Sequence, residues 1–322
     1  MYPLKFEPIL KQTLWGGDKI IPFKHLNETL PNVGESWEVS AVEGSESVVA
    51  NGADKGYTLP EMVRKYKEEL VGEANYARFG NKFPLLIKFI DAKQALSVQI
   101  HPDDEYALEN EGEYGKNEMW YVVDSEPGSY LYCGLKKNTD KEEIERRIAD
   151  NTITDILNKI EVKKGDVVMV KAGTIHAIGA GIIICEIQQN SNCTYRMYDY
   201  DRKDKFGNKR ELHVDKALDV VDTRKYEPFN SGSLDSTEVQ NCHTLVSCKY
   251  FECFKYDIDG ECNIGVDQTS FISIVVISGS GEIDISETEE KKNFKAGESF
   301  FITAGQKNIY ITGIAEVIVT RV

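Results

Sequence analysis

Apolar and polar positions along the chain alternate in short runs that stop often, the pattern of strands joined by turns. Runs such as Ser36–Ala41 (SWEVSA) and Ser47–Ala50 lie among breakers: Gly16-Gly17, Pro22, Pro31 and Gly34. Residues 84–90 (PLLIKFI) read as a buried strand with one lysine, Lys88, set into it. Strands are also predicted from Glu118 through the following Met-Trp-Tyr-Val-Val, and at 166–171 and 181–189. From Cys242 to Val322 the pattern is almost entirely short strands and turns. Helical spacing interrupts this in three places. Leu59-Pro60-Glu61 opens a helix over about 59–79, with Leu59, Met62, Val63, Tyr66, Leu70 and Val71 as its apolar stripe. In 139–160, Thr139-Asp140 followed by early acids caps a helix to about Ile148, and a second helix is predicted over 153–160. A short helix is predicted at 214–221. The stretch 227–238, rich in Asn, Ser, Gly, Asp and Thr, is the best linker, dividing the chain into 1–238 and 239–322.

An internal repeat organises these strands. Residues 165–178 (GDVVMVKAGTIHAI) align with 297–310 (GESFFITAGQKNIY) at a constant offset of 132. Upstream, Tyr121–Asp124 resembles Val275–Ser278 at an offset of 154, and a helical insertion at 139–160 in the first copy accounts for the difference. Each copy is expected to form a small β-barrel, with glycines where the chain must take positive φ. The copies differ in one respect that bears on chemistry: His176 of the first is Asn308 in the second.

The stretch 95–121 (ALSVQIHPDDEYALENEGEYGKNEMWY) holds the other candidate ligands. In an extended strand Gln99 and His101 point to one face, and Pro102 ends the run. After an acidic loop, Glu118 opens the next strand, so that an amide, an imidazole and a carboxylate converge from adjacent strands. These are donors of the kind that hold Zn²⁺ or a similar divalent ion. His176, at the start of its own strand, supplies a second imidazole. A set of His101, Glu118, His176 and Gln99 leaves room for water or substrate, as catalytic zinc sites do. An isolated histidine is more often an ordinary packed residue, but here the copy that lacks the other ligands also lacks the histidine. His25, His213 and His243 have no comparable surroundings.

Composition narrows the partners. At 322 residues the chain exceeds one ordinary core. A formal charge of −15 argues against nucleic acid and anionic membrane surfaces. There is no apolar run of about 18–20 residues for a membrane span, and no signal-peptide architecture at the N-terminus. Seven cysteines without a C-x-x-C pair suggest reduced thiols and a cytoplasmic location. An anionic small substrate requires basic side chains concentrated at its site. There is no Gly-rich phosphate loop to provide them.

The stretch 165–176 resembles the second conserved motif of the cupin barrels, with Lys171 in place of the usual proline. Together, Gln99-Ile-His101-Pro102-Asp103, Lys116-Asn-Glu118-Met-Trp, Ala172-Gly-Thr-Ile-His176-Ala and Thr194-Tyr-Arg196-Met-Tyr-Asp199 resemble the type I mannose-6-phosphate isomerases in their shorter bacterial form. The resemblance covers almost the whole chain. Asn192 is a departure, standing where an aspartate is expected. The resemblance implies a mainly β fold of two cupin-like β-barrels (jelly rolls), the first metal-binding and carrying the helical insertions, the second degenerate. It also implies a zinc-dependent aldose–ketose isomerase acting on a sugar phosphate, with one Zn²⁺ per chain, as a monomer or homodimer. A non-catalytic sugar-phosphate-binding cupin is the alternative from another class.

Arg196 then corresponds to the family's active-site arginine, able to stabilise an enediolate oxygen or hold a phosphate. A salt bridge to Asp199 or Asp201 is the alternative, of about equal weight on sequence alone. Lys116 matches the lysine of a lysine-x-glutamate pattern and is a candidate for substrate contact or proton transfer. Lys116 and a metal-bound hydroxide both remain open as the base. Ser97 and Lys88 are weaker candidates for phosphate contact. Trp15, Trp37 and Trp120 all read as core anchors more than as sugar platforms, and only Trp120, sharing a strand face with Glu118, has a geometric claim to line the pocket. The cluster 287–292 (ETEEKK) reads as a solvated hairpin.

Overall fold

Three antiparallel sheets carry nearly all the strands of the computed structural model, which describes residues 2–204, 206–228, 241–285, 291–306 and 308–322. The first sheet orders the strands Ile9–Gly17, Val33–Val39, Leu85–Ala92, Ile182–Gln189, Glu118–Ser125 and Val167–Val170. Its central strands Leu85–Ala92 and Ile182–Gln189 are buried at every position. Burial on both faces is why they read as continuous apolar runs instead of alternating ones. The second sheet orders Tyr195–Tyr198, Val98–Ile100, His176–Ile178, Tyr130–Leu135 and Leu157–Glu161. Trp15, Ile90, Trp120 and Ile184 from the first sheet pack against Leu131, Cys133 and Ile178 from the second. Each large apolar side chain buried in this layer contributes about 1.5–3 kcal/mol.

The expectation of closed barrels needs correction. Among the described residues no ladder hydrogen bonds join the first sheet to the second, and the two face each other across a layer of packed side chains. The C-terminal sheet orders Cys242–Ser247, Glu252–Gly265, Asn308–Arg321, Ile272–Ile285 and Lys291–Lys295, with Ser299–Ile302 paired to Ile272–Ile285. Here too the outer strands do not pair with each other. The fold is mainly β, as expected, with antiparallel sheets that stay open.

The repeat has a direct counterpart in hydrogen bonding. Gly165 N–H donates to Val122 O at 2.9 Å and Val122 N–H to Asp166 O at 2.9 Å. In the second copy Gly297 N–H donates to Val276 O at 2.9 Å and Val276 N–H to Glu298 O at 2.9 Å. These are the positions matched by the offsets of 132 and 154. The paired glycines Gly173 and Gly305 both take positive φ, 82° and 78°, in the left-handed region that glycine occupies without strain.

The helical predictions hold unevenly. Residues 59–79 form three short helices, Leu59–Tyr66, Glu68–Val71 and Glu73–Phe79. The interruptions fall at Lys67 and Gly72, which both take positive φ. The first starts with a capping box between Thr58 and Glu61. Lys141–Ala149 is capped by the Asp140 side chain, but 153–160 is not a helix. It is a 3₁₀ turn, Ile153–Ile156, followed by the strand Leu157–Glu161 against Tyr130–Leu135. The spacing of Ile153, Ile156, Leu157 and Ile160 suits a helix, and sheet pairing overrides it. Val214–Val220 is helical as expected, and Asp104–Asn110, inside the acidic loop, is an unanticipated helix capped by Asp103.

The N- and C-terminal parts meet in a shared core. The Phe271 and Phe301 rings stack with centroids 4.9 Å apart, and Phe83 packs against both. Buried Lys24 bridges Glu38 and the Gly297 carbonyl, and the Tyr121 hydroxyl bonds Glu316. The proposed linker at 227–238 and its boundary fall almost wholly outside the described residues, as does most of 287–292. All seven cysteines are unpaired. No helix among the described residues is long and apolar enough to cross a membrane.

Candidate metal centre

The strand Val98–Ile100 pairs with His176–Ile178 so that Gln99 stands opposite His176, and with Tyr195–Tyr198 so that Arg196 also stands opposite Gln99. His101 follows directly, before Pro102 ends the strand. Glu118 opens a strand of the other sheet, so it meets the histidines across the layer and not from the adjacent strand, as the sequence suggested. Its Oε1 lies 3.3 Å from His176 Nε2 and its Oε2 3.5 Å from His101 Nε2. The three ligand atoms all fall within 4.8 Å of one another, and the side chains are at most 1% exposed.

The second ring nitrogens fix the tautomer. His101 Nδ1 lies 2.9 Å from Cys193 O and His176 Nδ1 2.8 Å from Thr174 O. A carbonyl only accepts, so each Nδ1 carries the proton and each Nε2 presents a lone pair inward. His101 Nε2 and both Glu118 oxygens are fully buried without a hydrogen-bond partner, with the Lys116 ammonium 3.2 Å from Glu118 Oε2 and, among the described residues, none beside Oε1 or His101 Nε2. Orphaned buried acceptors of this sort are costly unless a cation occupies the space between them. The donor set therefore fits a divalent metal, and two imidazoles with a carboxylate suit a zinc-like ion. The Gln99 amide reaches 3.4 Å from His176 Nε2, within range of the same position.

Electrostatics reinforce this protonation pattern. Burial, with the Lys116 ammonium beside it, pushes His101 down to about 3. Burial also lowers His176. Burial by itself would raise Glu118, but the Lys116 ammonium outweighs it and holds the carboxyl well below its usual range. Neutral imidazoles and an ionised carboxylate are the states a metal needs.

Lys116, 4% exposed, lies 3.2 Å from Glu118 Oε2 and 3.8 Å from Glu186 Oε1. Lys88 is buried too, 3.1 Å from Glu186 and 3.7 Å from Glu35. Burial would depress Lys88, yet Glu186, Glu35 and Glu118 together raise its pKa. Gln99, Lys116, Lys88, Ser97 and Arg196 all line one cavity of about 290 Å³.

Arg196 does not make the alternative salt bridge to Asp199 or Asp201. Asp199 is taken by Arg202 and Arg210, and Asp201 by Lys209. Arg196 instead donates from Nη1 to Glu211 O at 2.9 Å, and its buried Nε has no acceptor. Among the described residues no carboxylate lies within ion-pair distance of it.

Several cavity residues escaped the sequence. Glu186 interrupts the apolar run Ile182–Gln189, and that lone carboxylate was the available signal. Burial and the nearby Glu118 raise its pKa. Trp15, and not Trp120, reaches the cavity. Trp120 lies wholly inside, donating from Nε1 to Glu186 Oε2 at 2.9 Å. Glu35 and Arg210 carried no sequence signal at all.

Residues 4–128 match the family model "Phosphomannose isomerase type I, catalytic domain", and residues 241–322 match "Mannose-6-phosphate isomerase, cupin domain". Mannose-6-phosphate isomerase ManA of Bacillus subtilis (strain 168) is 38% identical over 322 residues, covering 99% of this chain and 98% of the relative. The mannose-6-phosphate isomerase of Streptococcus mutans is 37% identical over 326 residues, covering 99% and 98%. The crystal structure of mannose 6-phosphate isomerase from Bacillus subtilis superposes with a TM-score of 0.91 at 34% identity, over 100% of both chains. With full-length likeness in sequence and fold, and the four motifs gathered at one centre, the chain belongs to the type I mannose-6-phosphate isomerases, in their short bacterial form.

Proposed function

We propose that the chain interconverts D-mannose 6-phosphate and D-fructose 6-phosphate through a cis-enediol, with one zinc ion per chain held by His101, Glu118, His176 and Gln99. The observation that carries this assignment is the buried His101–Glu118–His176 cluster, whose neighbours Gln99 and Lys116 open onto the same cavity as Arg196. A bound Zn²⁺ would supply a Lewis acid for the sugar's C1 and C2 oxygens.

The remaining work falls to side chains of this chain. Isomerisation removes a proton from C2 and returns it at C1, moving the carbonyl from one carbon to the other. Lys116 and Glu186, 3.8 Å apart, are the ammonium–carboxylate couple at the cavity wall suited to carry that proton. Trp120 holds the far oxygen of Glu186, fixing the carboxylate's orientation. Arg196 has unused N–H groups and no competing carboxylate, so its charge is available to the oxyanion that develops on the enediol.

A coupled isomerase assay on mannose 6-phosphate tests the assignment. Turnover should vanish on chelation and return when zinc is added back. Undiminished turnover by protein that elemental analysis shows to be metal-free would overturn it.

A further inference from the structure

Charge is divided unevenly along the cavity. At the metal end Lys88 and Lys116 are matched by Glu35, Glu118 and Glu186. At the other end Arg196, Arg202 and Arg210 gather around one buried carboxylate, Asp199. Glu211, the remaining acid nearby, has its side chain exposed. That end keeps a positive excess in a chain whose formal charge is −15.

The three guanidinium groups differ in what they leave free. Arg202 is spent on Asp199 and on the Ala95 carbonyl, which ties the Asp199 turn to the segment leading into Ser97. Arg210 grips Asp199 with Nε at 2.7 Å and Nη2 at 2.5 Å. Its Nη1 has no acceptor among the described residues, and Arg210 lines the cavity together with Arg196, Ser97 and Thr194. A guanidinium anchored on one edge by a carboxylate and open on the other is preorganised for an oxyanion.

We propose that Arg210, oriented by Asp199, is the anchor for the phosphate group of the substrate, with the Ser97 and Thr194 hydroxyls beside it. This rests on the sugar-phosphate assignment above and deepens it by setting the substrate's direction. The phosphate lies at the arginine end and C1–C2 at the metal end. Arg210 is the ground-state anchor, and Arg196, which stands opposite Gln99 on the neighbouring strand, is left to the sugar oxygens.

The test compares Arg210→Gln, Arg210→Lys and Lys209→Gln with the parent chain, all zinc-loaded. Lys209 is an exposed lysine paired with Asp201, so its variant removes the same formal charge outside the cavity. The first readout needs no turnover: the rise in melting temperature on adding inorganic phosphate, against chloride at matched ionic strength. The parent and K209Q should show the rise, and R210Q should lose it. R210K keeps the charge but not the fork, so it should bind phosphate at least about threefold more weakly, and it covers the case in which R210Q does not fold. The second readout is KM for mannose 6-phosphate, expected to increase about 10- to 100-fold in R210Q with kcat within about threefold. Equal phosphate stabilisation in the parent, R210Q and R210K, or its absence from the parent, overturns the anchor. A parent that is stabilised by phosphate but turns over no mannose 6-phosphate leaves the anchor standing and removes the isomerase assignment instead.

Discussion

Replacing Arg196 by lysine separates a catalytic charge from a structural one. Arg196 is held by one side-chain hydrogen bond, Nη1 to Glu211 O, and by its backbone N–H to His213 Nδ1 at 3.1 Å. With no ion pair to break, the substitution costs about 1 kcal/mol for the lost hydrogen bond, a fall in Tm of a few degrees. The chemical effect should be larger. Lysine retains the charge but cannot present two parallel N–H donors from a fixed plane. Loss of an oxyanion donor of this type lowers kcat by about 10²-fold or more, roughly 2.7 kcal/mol of transition-state stabilisation, with little change in KM. Steady-state kinetics in the coupled assay, with melting curves on the same samples, give all three quantities. A rise in KM alone would make Arg196 a ground-state anchor, and parent-like kinetics would remove it from the mechanism.

His101→Ala and His176→Ala should each lose bound metal and activity while keeping the fold; one metal per chain by elemental analysis in both variants would show the centre misplaced. Metal-free protein should lose stability in acid. Unfolded imidazoles take up protons near pH 6.5, whereas folded His101 resists until about 3, so keeping it neutral costs about 1.4 kcal/mol per pH unit between those values, and His176, also lowered, acts in the same direction. Glu118 acts in the same direction, since its depressed pKa gives stability that is lost as pH falls through the folded value. Melting temperatures equal at pH 5 and pH 7.5 would contradict this. Gly173→Ala should destabilise the chain by about 1–2 kcal/mol, because φ is +82° and the new Cβ would sit 2.9 Å from Val220 O. Gly173 N–H also bonds His101 O, so zinc affinity should fall with it; unchanged melting and zinc retention would refute both effects.

The candidate metal set was legible because His101, Glu118 and His176 each sit at a strand end marked by its own punctuation: Pro102 after His101, Ala172-Gly173-Thr174 before His176, and the apolar run after Glu118. What the sequence hid was which sheet each strand joins, since apolar alternation specifies a face and not a partner. Glu118 therefore appeared to neighbour Gln99 when it lies across the layer. Glu186 was hidden by its context, because a charge inside an all-apolar strand reads as an interruption until Lys88, Lys116 and Trp120 are seen around it. The Asp199 cluster was hidden differently. Residues 198–210 look like a solvated turn, and only folding shows that Arg202 and Arg210 claim Asp199 and leave Arg196 uncommitted. Residues 153–160 show that helical spacing over one turn yields to an available strand edge.

The central claim, one catalytic metal held by His101, Glu118 and His176, is tested most directly by titrating chelated protein with zinc while following isomerase rate. The rate should climb linearly and break at one equivalent per chain, because the C-terminal sheet carries Asn308 in place of the histidine and, among the described residues, offers no other cluster of metal ligands. A break at two equivalents, or full activity before any zinc is added to metal-free protein, would contradict it.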